Sequence, residues 1–256
     1  MLPAQRRDRI LSEVHQDRFI SVVDLAQRLS VSLSTVRRDL VDLEREGVIV
    51  RTHGGAALVG RGLPEEMSEK VRAQQRMEQK RAIARAAAPW IEGSGTAILD
   101  TGTTTLEIAR CLNPKEHLRI VTDSVEIAWE LRDRENITVI LTGGVMRKNA
   151  YNLFGTLAEQ ALMGLHAQVC VMGCSGLTLE EGLTKHDLEA LPVRRRMVEV
   201  SRQLIVAADS SKLGRTGLAS ICEIEGVDTL ITDSEISLEF RQALEGRGVN
   251  VIIADQ

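Results

Sequence analysis

The chain has 256 residues, of which 43% are hydrophobic and 27% are charged, and its formal net charge is −4. Three Phe, two Trp and one Tyr are its only aromatic residues, which argues against a protein that stacks the bases of RNA or single strands. No apolar run approaches the roughly 18 residues of a membrane span. The start, MLPAQRRDRI, lacks the apolar core of a signal peptide. We therefore expect a cytoplasmic protein without membrane contact.

The cysteine and histidine residues lack the spacing of a metal site. The four cysteines form no CxxC pair, and three of them lie in apolar or strand-like stretches, which is typical of buried, reduced thiols. The five histidines are scattered, without an HExxH motif. We therefore predict neither a bound metal nor a cofactor.

The first sixty residues predict three helices followed by a β-hairpin. Val36, Leu40 and Leu43 form the apolar stripe of the third helix, and VIVRTHGGAALV predicts two short strands around a turn. The predicted helices are Gln5 to Gln16, a short segment capped by Ser21, and Leu33 to Glu46 with Ser32 as its cap. Three helices and a hairpin form a winged helix-turn-helix, which we place over residues 1–58.

The polar face of the third helix is the candidate surface for DNA. In a helix-turn-helix, the N-terminal residues of the second helix of the pair reach base edges in the major groove. Arginine suits guanine, whereas serine and threonine suit phosphates or either class of base. A solvated charged face is the alternative for this helix taken alone. The candidate DNA-contacting residues are Ser32, Ser34, Thr35, Arg37, Arg38, Arg51, His53 and Gly54.

These residues resemble the DNA-binding signature of the DeoR/GlpR-type bacterial regulators of sugar metabolism. The resemblance is carried by Arg6, Ile10 and Val14, by SLSTVRRDL at 32–40, and by the wing sequence REGVIVRTHGGA. It implies that the N-terminal domain binds a double-stranded DNA operator. The charge over residues 1–60 is only +1, so the footprint on DNA depends on where individual arginines lie.

The remaining sequence predicts a linker over residues 59–75 and an α/β domain over residues 76–256. Glycine and proline punctuate the start of the linker, and from about Ser68 charged residues and alanines predict a long exposed helix. Seven apolar runs then alternate with helical patterns such as 157–165, 188–201 and 238–246. The runs are 96–100, 118–122, 137–142, 167–173, 203–209, 227–233 and 249–255. This alternation predicts a mostly parallel sheet covered by helices on both faces.

Small polar loops follow five of the predicted strands, at the edge where parallel sheets bind ligands. After TAILD, Gly102 and three threonines open a helix and offer hydroxyl and N–H groups to an anion, most naturally a phosphate. An ordinary turn with threonine caps is the alternative. Lys212 and Arg147 supply positive charge for an anion unless they serve only surface solvation. The other loops are 122–124, 142–144, 173–176 and 209–212.

This second half resembles the effector domain of the same family, which is similar in fold to ribose-5-phosphate isomerase and related phosphosugar enzymes. The motifs DTGTTT, LTGG, GLT and ADSSK carry the resemblance. RKNAYNLFGTLAEQAL and ADSSKLGR look most like the branch for galactosamine-type amino sugars. The resemblance implies an effector site formed by Asp100, Gly102, Thr103, Thr104, Thr105, Asp123, Gly143, Gly144, Arg147, Gly173, Gly176 and Lys212.

Two places depart from the family pattern. Asp123 stands where the family usually has Asn, and a negative charge there repels a phosphate or favours an amine or a hydroxyl. In EALPVRRRM, Glu189 is displaced relative to the usual Glu, Pro192 interrupts the pattern, and Arg194 stands where Lys is usual. Both departures bear on the class of effector.

We therefore predict a DNA-binding transcriptional regulator that represses a sugar-catabolism operon and responds to a phosphorylated sugar. It acts as a homo-oligomer, at least a dimer, because paired recognition helices read successive major grooves. The alternative is a phosphosugar isomerase with an added DNA-binding domain, for which Asp100 and Asp123 supply carboxylates. A sensor needs only binding, so the attached DNA-binding domain favours a regulator without enzymatic activity.

Overall fold

A computed structural model of the chain describes residues 3–17, 19–45, 49–52, 55–58, 75–147 and 151–255. The chain divides into two compact units, residues 1–75 and residues 76–256. Of the linker expected over residues 59–75, residue 75 alone is described, so the linker stays a prediction. Among the described residues, no helix combines the length and the apolar character needed to cross a membrane.

The first unit contains three helices and a three-stranded antiparallel sheet. Its elements are α1 (Pro3–Asp17), β1 (Phe19–Ser21), α2 (Val22–Leu29), α3 (Leu33–Arg45), β2 (Ile49–Thr52) and β3 (Gly55–Leu58). The predicted helices and hairpin are confirmed, with Ile49 opposite Leu58 and Thr52 opposite Gly55. Strand β1 pairs with β3 but is absent from the prediction, because three residues are too few to show an alternating pattern.

The apolar stripe of α3 lies in the core of this unit. Val36, Leu40 and Leu43 are at most 1% exposed and pack with apolar side chains of α1 and α2. Burying each side chain of this size contributes about 1.5–3 kcal/mol. Ser21 and Ser32 cap α2 and α3 as predicted, by accepting the backbone N–H groups of residues 24 and 35. The stripe and the caps fix which face of α3 remains outside.

Two ion pairs tie α1 to α3. Arg6 donates to both carboxylate oxygens of Asp39, which is 3% exposed, and Arg7 donates to Asp42. The guanidinium groups of Arg6 and Arg7 are therefore engaged in ion pairs within the first unit. Arg37 and Arg38, one step away on α3, point to solvent.

The second unit contains six α-helices and a seven-stranded parallel sheet among its described residues. The helices are α4 (Met77–Glu92), α5 (Thr103–Cys111), α6 (Val125–Leu131), α7 (Thr156–Leu162), α8 (Leu191–Glu199) and α9 (Leu238–Gly246). The strands of the main sheet are β4 (Thr96–Leu99), β5 (Leu118–Thr122), β6 (Ile137–Leu141), β9 (Ala167–Met172), β12 (Ser201–Ala207), β14 (Thr229–Asp233) and β15 (Asn250–Ala254). All seven predicted strands are confirmed. The helix expected from Ser68 begins at Met77; residues 68–74 lie outside the described residues.

Five short strands complete the unit and are missing from the prediction. They are β7 (Val145–Met146), β8 (Leu153–Phe154), β10 (Gly176–Thr178), β11 (Gly182–Lys185) and β13 (Ala219–Cys222). Strands β7 and β8 form a two-stranded ribbon, and β10, β11 and β13 form a small antiparallel sheet. Runs of two to four residues give no periodic signal, which explains why the sequence pattern does not reveal them.

Helices cover both faces of the parallel sheet, as the apolar strands predict. Ala97 and Leu99 of β4 belong to a core cluster with α4, α5 and α6, whereas Ile98 between them packs towards α7, α8 and α9. Successive side chains of a strand point to opposite faces, so one apolar strand serves both cores.

The strand order of the main sheet is β15-β14-β12-β9-β4-β5-β6. The chain runs from β4 outwards to β6 and then returns to the other side of β4 to continue with β9. The order thus reverses between β4 and β9, and a crevice opens at such a point beyond the carboxyl ends of the strands. The loop of residues 100–102 follows β4, and Gly173 follows β9, which places both at this crevice.

The four cysteines are free thiols. Cys170 is buried and Cys174 and Cys222 are half-buried, whereas Cys111 is exposed. Burial raises the pKa of Cys174 to about 12 and the pKa of Cys222 to about 11. These three thiols are therefore protonated and unreactive at neutral pH.

Candidate DNA-contacting helix and effector site

The start of α3 presents a cluster of hydroxyl groups. Ser32 Oγ lies 2.8 Å from both Ser34 Oγ and Thr35 Oγ1. Ser32 and Ser34 are exposed and Thr35 is half-buried. The hydroxyls and the free N–H groups of the first turn form a surface that suits phosphate oxygens.

Arg37 and Arg38 follow these hydroxyls on the exposed side of α3. Within the described part of the chain, neither guanidinium forms an ion pair, in contrast to Arg6 and Arg7. Arg51 lies on β2, but its side chain, like His53 and Gly54, falls outside the described residues. The DNA-contacting residues of the wing and those of α3 alike stay predictions.

The five polar loops predicted from the sequence meet at one edge of the second unit. They follow β4, β5, β6, β9 and β12, whose carboxyl ends lie together because the strands are parallel. The loop residues are Asp100 to Thr105, Asp123 and Ser124, Thr142 to Gly144, Gly173 to Gly176, and Asp209 to Lys212. This edge is the candidate effector site.

Asp100 is the centre of a buried charge cluster at this edge. Lys185 Nζ lies 2.6 Å from Asp100 Oδ2, and Arg194 Nε lies 3.0 Å from Asp100 Oδ1. Asp100 is fully buried and Arg194 is 4% exposed. Two cations therefore hold the two oxygens of one carboxylate, which satisfies charges that are costly to bury alone.

A second carboxylate extends the cluster towards the surface. Asp187 Oδ2 lies 3.2 Å from Arg194 Nη1, and Asp187 Oδ1 lies 2.9 Å from Arg147 Nη1. Partial burial acts to raise the pKa of Asp187, but the attraction of Arg194 and Arg147 and the hydrogen bonds from Ala190 N and Arg194 together outweigh it, so its pKa is lowered. Burial likewise acts to lower the pKa of Arg194, and the nearby carboxylates outweigh it and raise the pKa.

Asp123 lies beside Asp100, at the end of the neighbouring strand. Its Oδ1 accepts the Thr101 N–H at 3.0 Å and the Thr101 hydroxyl at 2.7 Å. The side chain is fully buried. Burial, followed by the charge of Asp100, raises the pKa of Asp123 to about 6, although Arg194, Thr101 and Lys185 act in the opposite direction.

The threonine loop opens α5 with Gly102 at the cap position. No side chain caps this end, so its first N–H groups face the edge of the sheet. Thr105 donates its hydroxyl to Gly102 O at 2.9 Å and is fully buried, so that hydroxyl serves the turn. Thr103 is half-buried and Thr104 is 8% exposed. Among the residues described, no hydrogen bond of the Thr103 or Thr104 hydroxyl is found, so these two hydroxyls and the N–H groups stay the predicted ligand contacts of this loop.

At two of the predicted site glycines, the backbone geometry itself explains why the residue has no side chain. Gly144 has a φ of +109°, and a Cβ there would lie 2.5 Å from Phe154 O, because the turn after β6 folds back to pair β7 with β8. A Cβ at Gly176 would lie 2.0 Å from Arg215 O, so Gly176 permits close packing of the start of β10 against the backbone of Arg215. Gly143 also has a positive φ, of +71°. Gly173 is buried, and a Cβ added there would meet nothing closer than Ala207 O, at 4.0 Å.

The loop that carries Lys212 is tied to the start of the second unit. Asp209 accepts the Ser211 N–H at 3.1 Å, and Asp233 accepts the Ser210 N–H at 2.8 Å. Arg76, the first residue of the unit, lies 3.2 Å from Asp209 and 3.3 Å from Asp233. Lys212 itself forms no ion pair among the described residues, so its ammonium group remains available to an anionic ligand.

Sequence reasoning missed four polar residues of this edge. The sequence prediction leaves out Lys185, Asp187 and Asn152, and it includes Arg194 only as a departure from the family pattern. Asn152 belongs to this edge because its Nδ2 donates to Asp187 Oδ2 at 3.3 Å. A lysine that directly follows the apolar strand residues GLT was the available signal for Lys185. The partners lie 85 and 94 residues from Asp100 along the chain, so no local pattern links them.

Comparison with known proteins decides the family. Residues 6–61 match the family model of the DeoR-like helix-turn-helix domain, and residues 75–234 match that of the DeoR C-terminal sensor domain. The chain belongs to the DeoR family. This DeoR-family protein is a DNA-binding transcriptional regulator with a sensor domain, and the site residues from Asp100 to Lys212 all lie within the matched sensor region.

Several relatives resemble this regulator over nearly its whole length. It is 35% identical to the HTH-type transcriptional regulator GolR of Listeria innocua, with 100% of both chains covered. It is 33% identical to a putative aga operon transcriptional repressor of Escherichia coli O157:H7, covering 99% of this chain and 94% of the relative. It is 31% identical to the glycerol-3-phosphate regulon repressor of Escherichia coli K12, covering 95% and 96%.

Two solved structures show weaker similarity. Ribose 5-phosphate isomerase A from Methanocaldococcus jannaschii is 15% identical, with a TM-score of 0.40, over 54% of this chain and 55% of that chain. The full-length sorbitol operon regulator SorC from Klebsiella pneumoniae is 10% identical, with a TM-score of 0.37, over 95% and 94%. The fold assignment here rests on the strand order of the sheet.

Proposed function

We propose that this DeoR-family regulator represses a sugar-catabolism operon and that a phosphorylated sugar relieves the repression. The observation that carries the proposal is the edge of the parallel sheet, where an uncapped helix start with two threonines follows β4, the loop of Lys212 follows β12, and a buried charge cluster forms around Asp100. Relatives named as repressors of the aga operon and of the glycerol-3-phosphate regulon support repression rather than activation.

The DNA-contacting groups in this proposal are the hydroxyls and arginines of α3. Ser32, Ser34 and Thr35 bind phosphates and fix the orientation of the helix, whereas Arg37 and Arg38 reach base edges. Arg51, His53 and Gly54 of the wing are proposed to contact the DNA next to this helix. A homo-oligomer, at least a dimer, presents two such helices to successive major grooves. The protein acts in the cytoplasm, where its operator lies.

The phosphate of the effector binds at the threonine loop. The inner cluster contains two carboxylates, Asp100 and Asp123, and two cations, Lys185 and Arg194, so its formal charge is zero when Asp123 is ionised. Its cations are therefore not available to a phosphate. The N–H groups at the start of α5, the hydroxyls of Thr103 and Thr104, and the ammonium of Lys212 supply what a phosphate requires.

The remaining predicted site residues support the effector less directly. Asp100 holds Lys185 and Arg194 in place, and Gly102, Thr105, Gly143, Gly144 and Gly176 shape the loops. Arg147 links the β7 strand to Asp187. Gly173 leaves room for the ligand beside the loop of residues 100–102. Each of these roles belongs to the proposal for the same site.

A second candidate function is that of a phosphosugar isomerase, and one observation favours it. Asp123 has a pKa of about 6, which suits a general base at neutral pH. Asp100, the other carboxylate, has both oxygens held by cations and is poorly placed to accept a proton. Incubation with ribose 5-phosphate or a hexose 6-phosphate, followed by NMR, distinguishes the two functions, since a regulator leaves the sugar unchanged.

Calorimetric titration of the whole protein tests the effector proposal. The panel contains glucose 6-phosphate, galactose 6-phosphate, the two hexosamine 6-phosphates, ribose 5-phosphate, glycerol 3-phosphate and the corresponding free sugars. We expect one or a few phosphorylated compounds to bind and their free sugars to bind far more weakly. Equal binding of a sugar with and without its phosphate contradicts the proposed phosphate site.

A further inference from the structure

Two buried oxygen atoms beside the charge cluster have no hydrogen-bond partner in the part of the chain that the structure describes. They are Asp123 Oδ2 and Asn152 Oδ1, and both side chains are fully buried. The backbone places these residues diagonally across two paired segments, because Leu153 N donates to Asp123 O at 2.8 Å and Ser124, next to Asp123, forms a β-bridge with Asn152. Buried polar atoms nearly always have partners, so two neighbouring exceptions require an explanation.

The other polar atom of each side chain has a partner, and that hydrogen bond orients the side chain. Asp123 Oδ1 is occupied by the N–H and hydroxyl of Thr101, which leaves Oδ2 as the free position of the carboxylate. Asn152 Nδ2 donates to Asp187 Oδ2 at 3.3 Å, which assigns the other amide position to the oxygen. With Asp123 ionised, both remaining atoms can only accept hydrogen bonds. The group that fits them is therefore a donor.

The charges around Asp123 exclude a phosphate at this position. The charged groups that face Asp123 are Asp100, Arg194 and Lys185. Both cations form ion pairs with Asp100, at 3.0 Å and 2.6 Å. Because both cations are paired with Asp100, the Asp123 carboxylate repels a phosphate placed next to it. A hydroxyl or an ammonium group instead finds a strong hydrogen-bond acceptor there.

We propose that Asp123 and Asn152 accept hydrogen bonds from a hydroxyl or ammonium group on the sugar part of the effector and thereby select effectors that carry this donor. The inference rests on the proposed function, because it concerns the same site. It gives the site two ends, with the phosphate at Thr104 and Lys212 and the donor at Asp123.

The test compares ligands and variants together. The panel compound that binds most tightly, its monodeoxy analogues and its amino analogue are titrated into the wild type and Asp123→Asn. In the wild type, we expect one deoxy analogue to bind at least about tenfold more weakly than the parent compound. In Asp123→Asn, the same analogue and the parent compound should bind with equal affinity. If the amino compound loses more affinity in the variant than the hydroxyl compound, the donor is an ammonium group.

Thr232→Val is a matched control, because Thr232 is also fully buried with an unpartnered hydroxyl. It lies on β14, four strands and about 19 Å from β5, so the variant should bind every compound as the wild type does. The inference is wrong if every analogue has the same affinity relative to the parent compound in Asp123→Asn as it has in the wild type. If no panel compound binds the wild type, the proposed sugar-phosphate function fails first, and the inference fails with it.

A second measurement needs no variant and so remains valid if Asp123→Asn does not fold. The pKa of Asp123, which burial and Asp100 raise to about 6, is followed by carboxyl carbon NMR in protein labelled at aspartate. Saturation with the binding compound should lower this pKa, because a donor stabilises the ionised carboxylate. A pKa that does not change on saturation overturns the inference.

Discussion

Arg76 Nε lies 3.2 Å from Asp209 Oδ1, at the start of the loop that carries Lys212. Arg76 is also the first residue of the second unit, where the chain arrives from the DNA-binding unit. Its guanidinium further contacts Asp233 and Glu235, at 3.3 Å and 2.9 Å. The loop of Lys212 is therefore tied to the residue with which the second unit begins.

Replacing Arg76 by Gln should uncouple effector binding from operator release. The variant keeps the threonine loop and Lys212, so its effector Kd should stay within about twofold of the wild type. A hundredfold change in operator affinity corresponds to about 2.7 kcal/mol of coupling, and we expect the variant to lose at least half of it. Calorimetry gives the first quantity, and anisotropy of labelled operator DNA gives the second.

Arg247→Gln is the control for this variant. Arg247 pairs with Glu225 at 2.6 Å, and both side chains are about half exposed, so the change removes an ion pair without touching the Lys212 loop. The control should respond to effector as the wild type does. Full operator release by effector in Arg76→Gln contradicts the coupling role.

Asp123→Asn should make the protein more stable at neutral pH when no effector is bound. The folded-state pKa of about 6 lies above the ordinary value of 3.8, so the folded protein resists ionisation of Asp123. The unfolded chain binds fewer protons than the folded chain between these values, and this group therefore lowers stability as pH rises from 4 to 6. The full effect is about 3 kcal/mol and is constant above pH 7.

Urea unfolding of the wild type and Asp123→Asn at a series of pH values measures this difference. The stability gain of the variant should be small near pH 4 and should grow as the pH passes 6. A gain that is independent of pH shows that Asp123 is not the titrating group. A loss of stability at all pH values shows that the carboxylate contributes more to folding than its burial costs.

Arg38→Ala should weaken operator binding by about 1–3 kcal/mol and relax the preference at one base pair. Arg38 is exposed on α3, so the free energy of unfolding should change little. Anisotropy titrations against operators that are mutated at single positions measure both effects. Arg119→Ala, an exposed arginine of the second unit, is the matched control and should bind every operator as the wild type does. An equal loss on all operators identifies Arg38 as a phosphate contact instead.

Thr104→Ala should leave operator binding intact and reduce the response to effector. Thr104 is 8% exposed at the start of α5, where we propose that its hydroxyl binds the phosphate. Loss of one hydrogen bond to a charged group is expected to raise the effector Kd about tenfold. Calorimetry with the binding compound checks this value. An unchanged Kd removes the threonine loop from the site.

The sequence predicted those parts of the fold that depend on periodic patterns. Val36, Leu40 and Leu43 recur at helical spacing, and apolar runs such as 167–172 form the strands of the parallel sheet. The main helices and strands of both units were therefore predictable from local sequence patterns. The grouping of the polar loops also followed, because parallel strands share one carboxyl edge. Strands of two to four residues, such as Val145–Met146, left no pattern to find.

The ionic interior of the site was not predictable from local patterns. Lys185 and Arg194 reach Asp100 from a different strand and a different helix, and that pairing exists only once the sheet is formed. Gly176 was assigned to the site, but its lack of a side chain is explained by the approach of Arg215 O. The partners of a buried charge and the reason for a glycine are tertiary properties.

We propose that one chain joins operator binding to the sensing of a phosphorylated sugar. The most direct test of this proposal is the fluorescence anisotropy of labelled DNA from upstream of the gene, titrated with protein at fixed salt and competitor and then with the panel compounds. We expect tight binding that is released by one phosphosugar and not by its free sugar, with release reduced in Thr104→Ala. Specific binding that no panel compound changes, together with turnover of a phosphosugar, contradicts the account and identifies an enzyme.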